Sequence, residues 1–217
     1  MEVRAMDREL EKIVALYKTA ASLKEMPRHG WIMEGASLQE SDSVASHSFC
    51  VALISHFTAS ALAMRFRDIN SVKVVSMAIF HDLGECATGE IATGIKRWIG
   101  CNFPTQSVVE KMEHEFLAKL LKDLLGNCEV LRLSEEYEQG STREAKIVKF
   151  GDVLDAFGHA KLRLRRTFPQ YLEHARAVLS QSTPGDPEGA CGLILAQWLS
   201  DVEEKWDSVE KTRPWAL

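Results

Sequence analysis

No two cysteines in this chain stand in a C-x-x-C pair. The five present (Cys50, Cys86, Cys101, Cys128 and Cys191) are scattered and odd in number. A cysteine zinc site and a disulfide framework are thereby excluded, and a reducing, cytoplasmic compartment is expected. Nor is there a long run of Lys or Arg. The formal charge is −5, which argues against polymeric DNA or RNA as a partner. A small anionic substrate stays open, since one metal and a few cations can set a local field. The N-terminus, Met1-Glu2-Val3-Arg4, is charged and lacks an apolar signal core. Repeats and low-complexity tracts are absent. What is there is a hydrophobic content of 46% over 217 residues, enough for one well-buried core and hence a single domain.

Charge is also missing locally. Residues 43–64 contain no Asp, Glu, Lys or Arg and are long enough to span a bilayer. They also contain His47, His56, Thr58 and five Ser, so a central core helix is expected, with no membrane partner. Around it the periodicity predicts an all-α fold. An amphipathic helix is expected over 7–24, with Asp7 as N-cap and Leu10, Ile13, Val14, Leu16 and Tyr17 as its apolar face. Further helices are expected over 44–65, 71–83, 105–125, 142–164, 169–180 and 188–207. Residues 86–104, rich in Gly and Thr, read as a loop over the site, and 134–140 as an acidic turn. Gly126-Asn127 reads as a helix stop.

The chemistry concentrates at the end of the 71–83 helix. Val74, Val75, Met77, Ala78, Ile79 and Phe80 make that helix apolar nearly all round, and it ends in His81-Asp82 with Glu85 following. Ionisable groups at the end of a buried helix must pair or bind metal. His81 and Asp82 either satisfy each other or hold an ion with help from elsewhere. Two further candidates arise in apolar helices. His47 lies in the first turn of the central helix, and Asp152 sits among Val148, Gly151 and Val153. His56 is nine residues beyond His47, about 180° around, and cannot serve the same site. Asp155, about 300° on from Asp152, is the poorer candidate for the same spot. His114, among Glu110, Glu113 and Glu115, reads as exposed, and Cys86 as a small packed residue. In the Pro/Gly loop Met26-Pro27-Arg28-His29-Gly30-Trp31, Arg28 and Trp31 either bind a phosphate and stack on a ring, or are a solvated charge and a loop anchor. The stretch alone favours the second. Two imidazoles and two carboxylates, His47, His81, Asp82 and Asp152, favour one divalent first-row ion with positions left for water.

The order H…HD…D at these spacings resembles the HD-domain metal-dependent phosphohydrolases. The branch containing the bacterial 5'-deoxynucleotidases and related archaeal and eukaryotic proteins is the nearer likeness. The matching pieces are Pro27-Arg28-His29-Gly30-Trp31, Ser43-Val44-Ala45-Ser46-His47-Ser48, His81-Asp82-Leu83-Gly84-Glu85, Thr88-Gly89-Glu90, Ile95-Lys96 and Lys149-Phe150-Gly151-Asp152. The resemblance covers roughly residues 8–165, leaving 166–217 as a C-terminal helical extension. It implies an all-α HD bundle, metal ligands at His47, His81, Asp82 and Asp152, and a catalytic carboxylate at Glu85. It also implies substrate contacts at Arg28, Trp31, Glu90 and Lys96. The implied ion is manganese, cobalt or magnesium, with zinc and iron as further candidates, and the implied assembly is a homodimer. Three departures stand out. Ser46 replaces an acidic residue before the first ligand, Glu90 replaces a shorter Asp, and Thr93-Gly94 replaces Thr-Pro.

The expected activity is release of orthophosphate from nucleoside 5'-monophosphates, preferably deoxy, with Asp82 or Glu85 guiding the water's proton. Glu85 could instead protonate the departing 5'-oxygen. One alternative keeps the site but changes the bond: a dNTP triphosphohydrolase or another nucleotide phosphohydrolase. A second is a non-catalytic metal-binding nucleotide sensor, against which Glu85 argues.

Overall fold

A computed structural model describes residues 2–92, 106–121, 129–186 and 189–209. Among them the chain is all-α. Its α-helices are α1 (Glu2–Ala20), α2 (His29–Met33), α3 (Val44–Leu62), α4 (Ser71–Phe80), α5 (Glu85–Thr88), α6 (Gln106–Leu121), α7 (Glu129–Gln139), α8 (Arg143–His159), α9 (Pro169–Leu179) and α10 (Ala190–Lys205). A 3-10 turn, Ala21–Lys24, comes after α1, and a π turn, Ala160–Leu164, comes after α8.

Local chemistry sets the starts of the three long core helices. Ser43, Asn70 and Thr142 stand extended ahead of α3, α4 and α8, and each side chain accepts the N–H three residues on. Helix α3 packs along both α4 and α8. The crossing with α8 is close because residue 151 is glycine: a Cβ there would run into Ser55 and the Val51 carbonyl. Around that crossing lies the main core, including Val51, Leu62, Val74, Met77, Ile147, Val148, Val153 and Phe157. Leu172, Leu179, Leu195 and Leu199 from α9 and α10 belong to the same cluster. Val44, Leu23, Leu83, Leu117 and Leu121 form a smaller cluster at the other end of α3.

Several expectations are corrected. Helix α1 is already formed at Glu2, so Asp7 lies within it rather than capping it. Of its expected apolar face only Leu16 packs inward, while Leu10, Ile13, Val14 and Tyr17 are exposed. The expected acidic turn at 134–140 is mostly the second half of α7. Glu135, Glu136 and Glu138 are the polar face of a helix whose apolar side, Val130, Leu133 and Tyr137, recurs at spacings of three and four. Loop 86–104 begins with the short helix α5, and its residues from 93 onward lie outside the described residues, as do Lys96 and the Gly126-Asn127 stop.

The C-terminal helices are locked to α8 by one carboxylate. Asp186 is 0% exposed and accepts the Cys191 and Gly192 backbone N–H groups at the start of α10 (3.1 and 3.2 Å). It also accepts from Lys146 Nζ (3.4 Å) and Arg143 Nε (3.3 Å) of α8. Burial alone would raise its pKa, but the two backbone N–H groups and the Lys146 and Arg143 charges win and hold it below the ordinary value. Removing it leaves the buried Lys146 ammonium, among the described residues, with the Gln181 carbonyl alone. Asp186→Ala is expected to lose about 3–5 kcal/mol in urea unfolding. Because the folded pKa is depressed, the wild-type contribution is present above the unfolded value of about 3.9 and is lost as pH falls through the folded one. Asp186→Asn should therefore unfold with a shallower acid limb below pH ~4.

Candidate metal centre

Helix α3 starts at Ser43, which puts His47 one turn inside, 1% exposed and facing α8. Its Nε2 lies 3.3 Å from Asp152 Oδ1 and 3.6 Å from Asp82 Oδ2, and its Nδ1 lies 2.7 Å from Asp155 Oδ2. Helix α4 ends at Phe80, so His81 and Asp82 emerge from its last turn. His81 Nδ1 donates to the Ala78 carbonyl (2.7 Å), and its Nε2 is 3.1 Å from Asp82 Oδ2. The two imidazole centroids are 5.4 Å apart. The structure thus brings together all four expected ligands, His47, His81, Asp82 and Asp152, from α3, the end of α4 and α8.

Both Nε2 atoms are buried and among the described residues neither has a hydrogen-bond partner, although carboxylate oxygens stand within 3.6 Å. Nitrogen lone pairs converging with carboxylates, without hydrogen bonds between them, suit a divalent cation. The residues present therefore fit the ion implied by their chemistry. The local field agrees. Burial pushes the Asp82 and Asp152 pKa values up, but neighbouring cations hold both below the usual carboxylate range: His81, His47 and Arg28 for Asp82, and Lys149, His47 and His81 for Asp152. At His47, burial and Arg28 push the pKa down, and Asp152, Asp155 and Asp82 outweigh them, raising it to about 9, so a bound ion would take the place of the Nε2 proton.

A second layer supports these groups. Tyr137 of α7 donates its hydroxyl to Asp152 Oδ2 (2.8 Å) and presents its ring edge-on to His81, centroids 5.3 Å apart. Lys149 donates to the Tyr137 hydroxyl (2.8 Å) and to Asp152 (3.3 Å). Tyr171 of α9 is near enough that burial and the Asp152 charge raise its phenol pKa, with Arg28 opposing.

Arg28 is not a solvated charge. It is half-buried with its Nη1 fully covered, beside Asp82, Asp152 and Asp42, whose charges outweigh desolvation and raise its pKa, and among the described residues Nη1 has no hydrogen-bond partner. Trp31 is anchored, as the plainer expectation has it. Its Nε1–H donates to Asp42 (3.0 Å) and its ring stacks on His159 at 5.3 Å. The same loop is tied to the end of α8 by His159 Nε2 on the Glu40 carbonyl (2.8 Å) and by Arg166 on the Glu34 carbonyl. Glu90 accepts the Gly30 N–H (3.3 Å). Glu85, 5% exposed, stands close behind Asp82, its N–H donating to the Asp82 carbonyl (3.1 Å).

The remaining candidates fall away from this centre. His56 is exposed, edge-on to Phe57. His114 is only part-exposed, 3.5 Å from Glu135. Cys86 donates to the Thr19 carbonyl (3.5 Å), and burial raises its thiol pKa, as suits a packed residue. Sequence reasoning missed Asp155, Tyr137 and Tyr171. Asp155 was legible: 300° forward along a helix is 60° back, so residues 152 and 155 share a face. Tyr137 is hidden when its helix is read as a turn.

A family model described as HD domain matches residues 20–183, a span that includes His47, His81, Asp82 and Asp152. Over 166 residues the chain is 30% identical to the 5'-deoxynucleotidase HDDC2 of Xenopus laevis, covering 71% of this chain and 73% of that protein. It is 25% identical over 219 residues to the 5'-deoxynucleotidase hdd1 of Schizosaccharomyces pombe, covering 93% and 96%. Among solved structures, a conserved hypothetical protein from Pyrococcus furiosus superposes with a TM-score of 0.62 at 28% identity, covering 90% of this chain and 99% of that one. With its fold, its clustered His-Asp side chains and these likenesses, the chain belongs to the HD-domain family.

Proposed function

We propose that this protein is a metal-dependent phosphomonoesterase that releases orthophosphate from nucleoside 5'-monophosphates, deoxy forms preferred. The observation that carries it is the convergence of two imidazole nitrogens, without hydrogen-bond partners among the described residues, with two ionised carboxylates, next to a half-buried guanidinium and a buried Glu. The relatives in Xenopus and Schizosaccharomyces, both named 5'-deoxynucleotidases, support the substrate class. His47, His81, Asp82 and Asp152 would hold one divalent ion, manganese or cobalt in this reading. A bound ion supplies Lewis acidity and charge neutralisation.

The protein's own groups divide the remaining work. Arg28, fixed among carboxylates, offers its free donor to a phosphoryl oxygen and offsets charge that grows there in the transition state. Asp82 is held ionised by its neighbouring cations, which suits it to hold an ion and leaves it a weak proton acceptor. Glu85 is the group assigned to proton transfer, either from the attacking water or to the departing 5'-oxygen. Trp31, its N–H already engaged by Asp42, offers a ring surface rather than a hydrogen bond. Glu90 holds the Arg28 loop through Gly30 and is assigned a substrate contact, and Lys96 is assigned a supporting positive charge.

A homodimer is part of the proposal. Leu16, Phe49, Leu53 and Ile79 line an apolar groove formed by α1, α3 and α4. Phe49 is 68% exposed there, and α3 contributes no charged residue. A second copy of this chain can cover such a surface without burying a like-charge pair. Phe49→Glu should shift the mass measured by light scattering from dimer to monomer, and a wild-type monomer would refute the dimer.

Two measurements test the activity. Metal-stripped protein reloaded with manganese or cobalt is expected to release orthophosphate from dAMP, dGMP and dTMP. Triphosphate released from dNTPs, with monophosphates untouched, would overturn the reading. Glu85→Gln is expected to keep its metal, measured by calorimetry, while kcat drops roughly 10²–10⁴-fold; unchanged turnover removes Glu85 from the mechanism.

A further inference from the structure

Asp155 has no part in the proposed ligand set, yet it makes the shortest polar contact of His47, 2.7 Å from Oδ2 to Nδ1. We propose that Asp155 is a positioning residue for the metal centre, fixing the tautomer and ring orientation of His47 so that Nε2 presents a lone pair to the ion. The inference rests on the metal-centre reading above.

A neutral imidazole carries one proton on two nitrogens, and an ionised carboxylate can only accept. In the neutral ring that an ion would bind, the 2.7 Å contact with Asp155 therefore keeps that proton on Nδ1 and leaves Nε2 bare. Nε2 is the atom facing Asp82 and Asp152, and it is buried without a hydrogen-bond partner among the described residues. Turning the ring over would set a carbon against Asp155 and lose the bond.

The geometry comes from one helix. Asp152 and Asp155 lie three apart on α8, so both project toward α3, one reaching each nitrogen of the same ring. The His47 side chain is 1% and the Asp155 side chain 15% exposed, so water competes little for the bond. His81 has its tautomer fixed the same way, by the Ala78 carbonyl. That acceptor is backbone and neutral, whereas Asp155 is charged and adds basicity to its partner's ligating nitrogen. Among the described residues, Cys50 is drawn into the same environment, its thiol pKa raised to about 11 by burial and then by Asp155.

The test uses metal-stripped full-length wild type, Asp155→Ala, Asp155→Asn and Asp155→Glu, each titrated with manganese by calorimetry. Urea unfolding of the same metal-free proteins runs alongside. Manganese affinity is expected to fall about 10–100-fold in the Ala and Asn variants. Glu, which restores the charged acceptor, should recover part of the loss. At saturating manganese the KM for dAMP should stay within about twofold of wild type, since Asp155 does not touch the substrate. Equal manganese affinity in all four proteins would overturn the proposal, as would a loss fully accounted for by unfolded protein in the urea curves. Failure of wild type itself to bind manganese, cobalt or magnesium would instead refute the metal centre.

Discussion

Helix α3 and helix α8 approach each other closely because Gly151 presents no side chain at their crossing, and the site depends on that approach. One turn before the contact on α3 stands His47, and one residue after it on α8 stands Asp152. A bulkier residue at 151 would separate the helices where an imidazole and a carboxylate must lie 3.3 Å apart. The end of α4 completes the arrangement, because the helix stops at Phe80 and frees His81 and Asp82 to turn inward. The apolar character of α3 and α4 gives the site its dry walls.

Charge balance inside those walls is narrow. Asp82, Asp152 and Asp155 bring three carboxylates to a region from which water is largely excluded. Arg28 and Lys149 answer them, one on the early loop and one on α8 itself. Each cation is tied to a different task. Lys149 supports Asp152 directly and through Tyr137, whereas Arg28 keeps a donor unused. A buried donor left open costs free energy, and such a cost is retained where a ligand is to be met.

How much of this is legible in the sequence depends on the range of the cause. His47, His81, Asp82 and Asp152 can be found because each is a polar residue in an apolar, periodic helix, and the cost of burying it is visible without coordinates. The all-α pattern is legible from helical periodicity, which is likewise local. Arg28 cannot be judged from its own stretch, since the charges it meets include Asp82 and Asp152 from elsewhere in the fold. Tyr137 is lost when the glutamates around it are read as a turn, although Val130, Leu133 and Tyr137 carry the helical spacing. Asp155 drops out when its rotation is counted in one direction only. The exposed face of α1 illustrates the opposite limit: amphipathic spacing predicts which residues share a side, not what that side meets.

The π turn after α8 joins two parts of the site that are usually thought of separately. Its extra residue, ending in Arg165 at φ 52°, sets where Arg166 falls, and Arg166 grips the carbonyl of Glu34 while His159 grips that of Glu40. The loop that carries Arg28 and Trp31 is thus moored to the helix that carries Asp152. Shortening that turn by one residue would rotate the chain beyond it by about 100° and cast off the loop, with Asp152 and His47 left in place. Recognition of the substrate could therefore diverge among relatives through insertions and deletions at this one turn, while the ion site stayed unaltered.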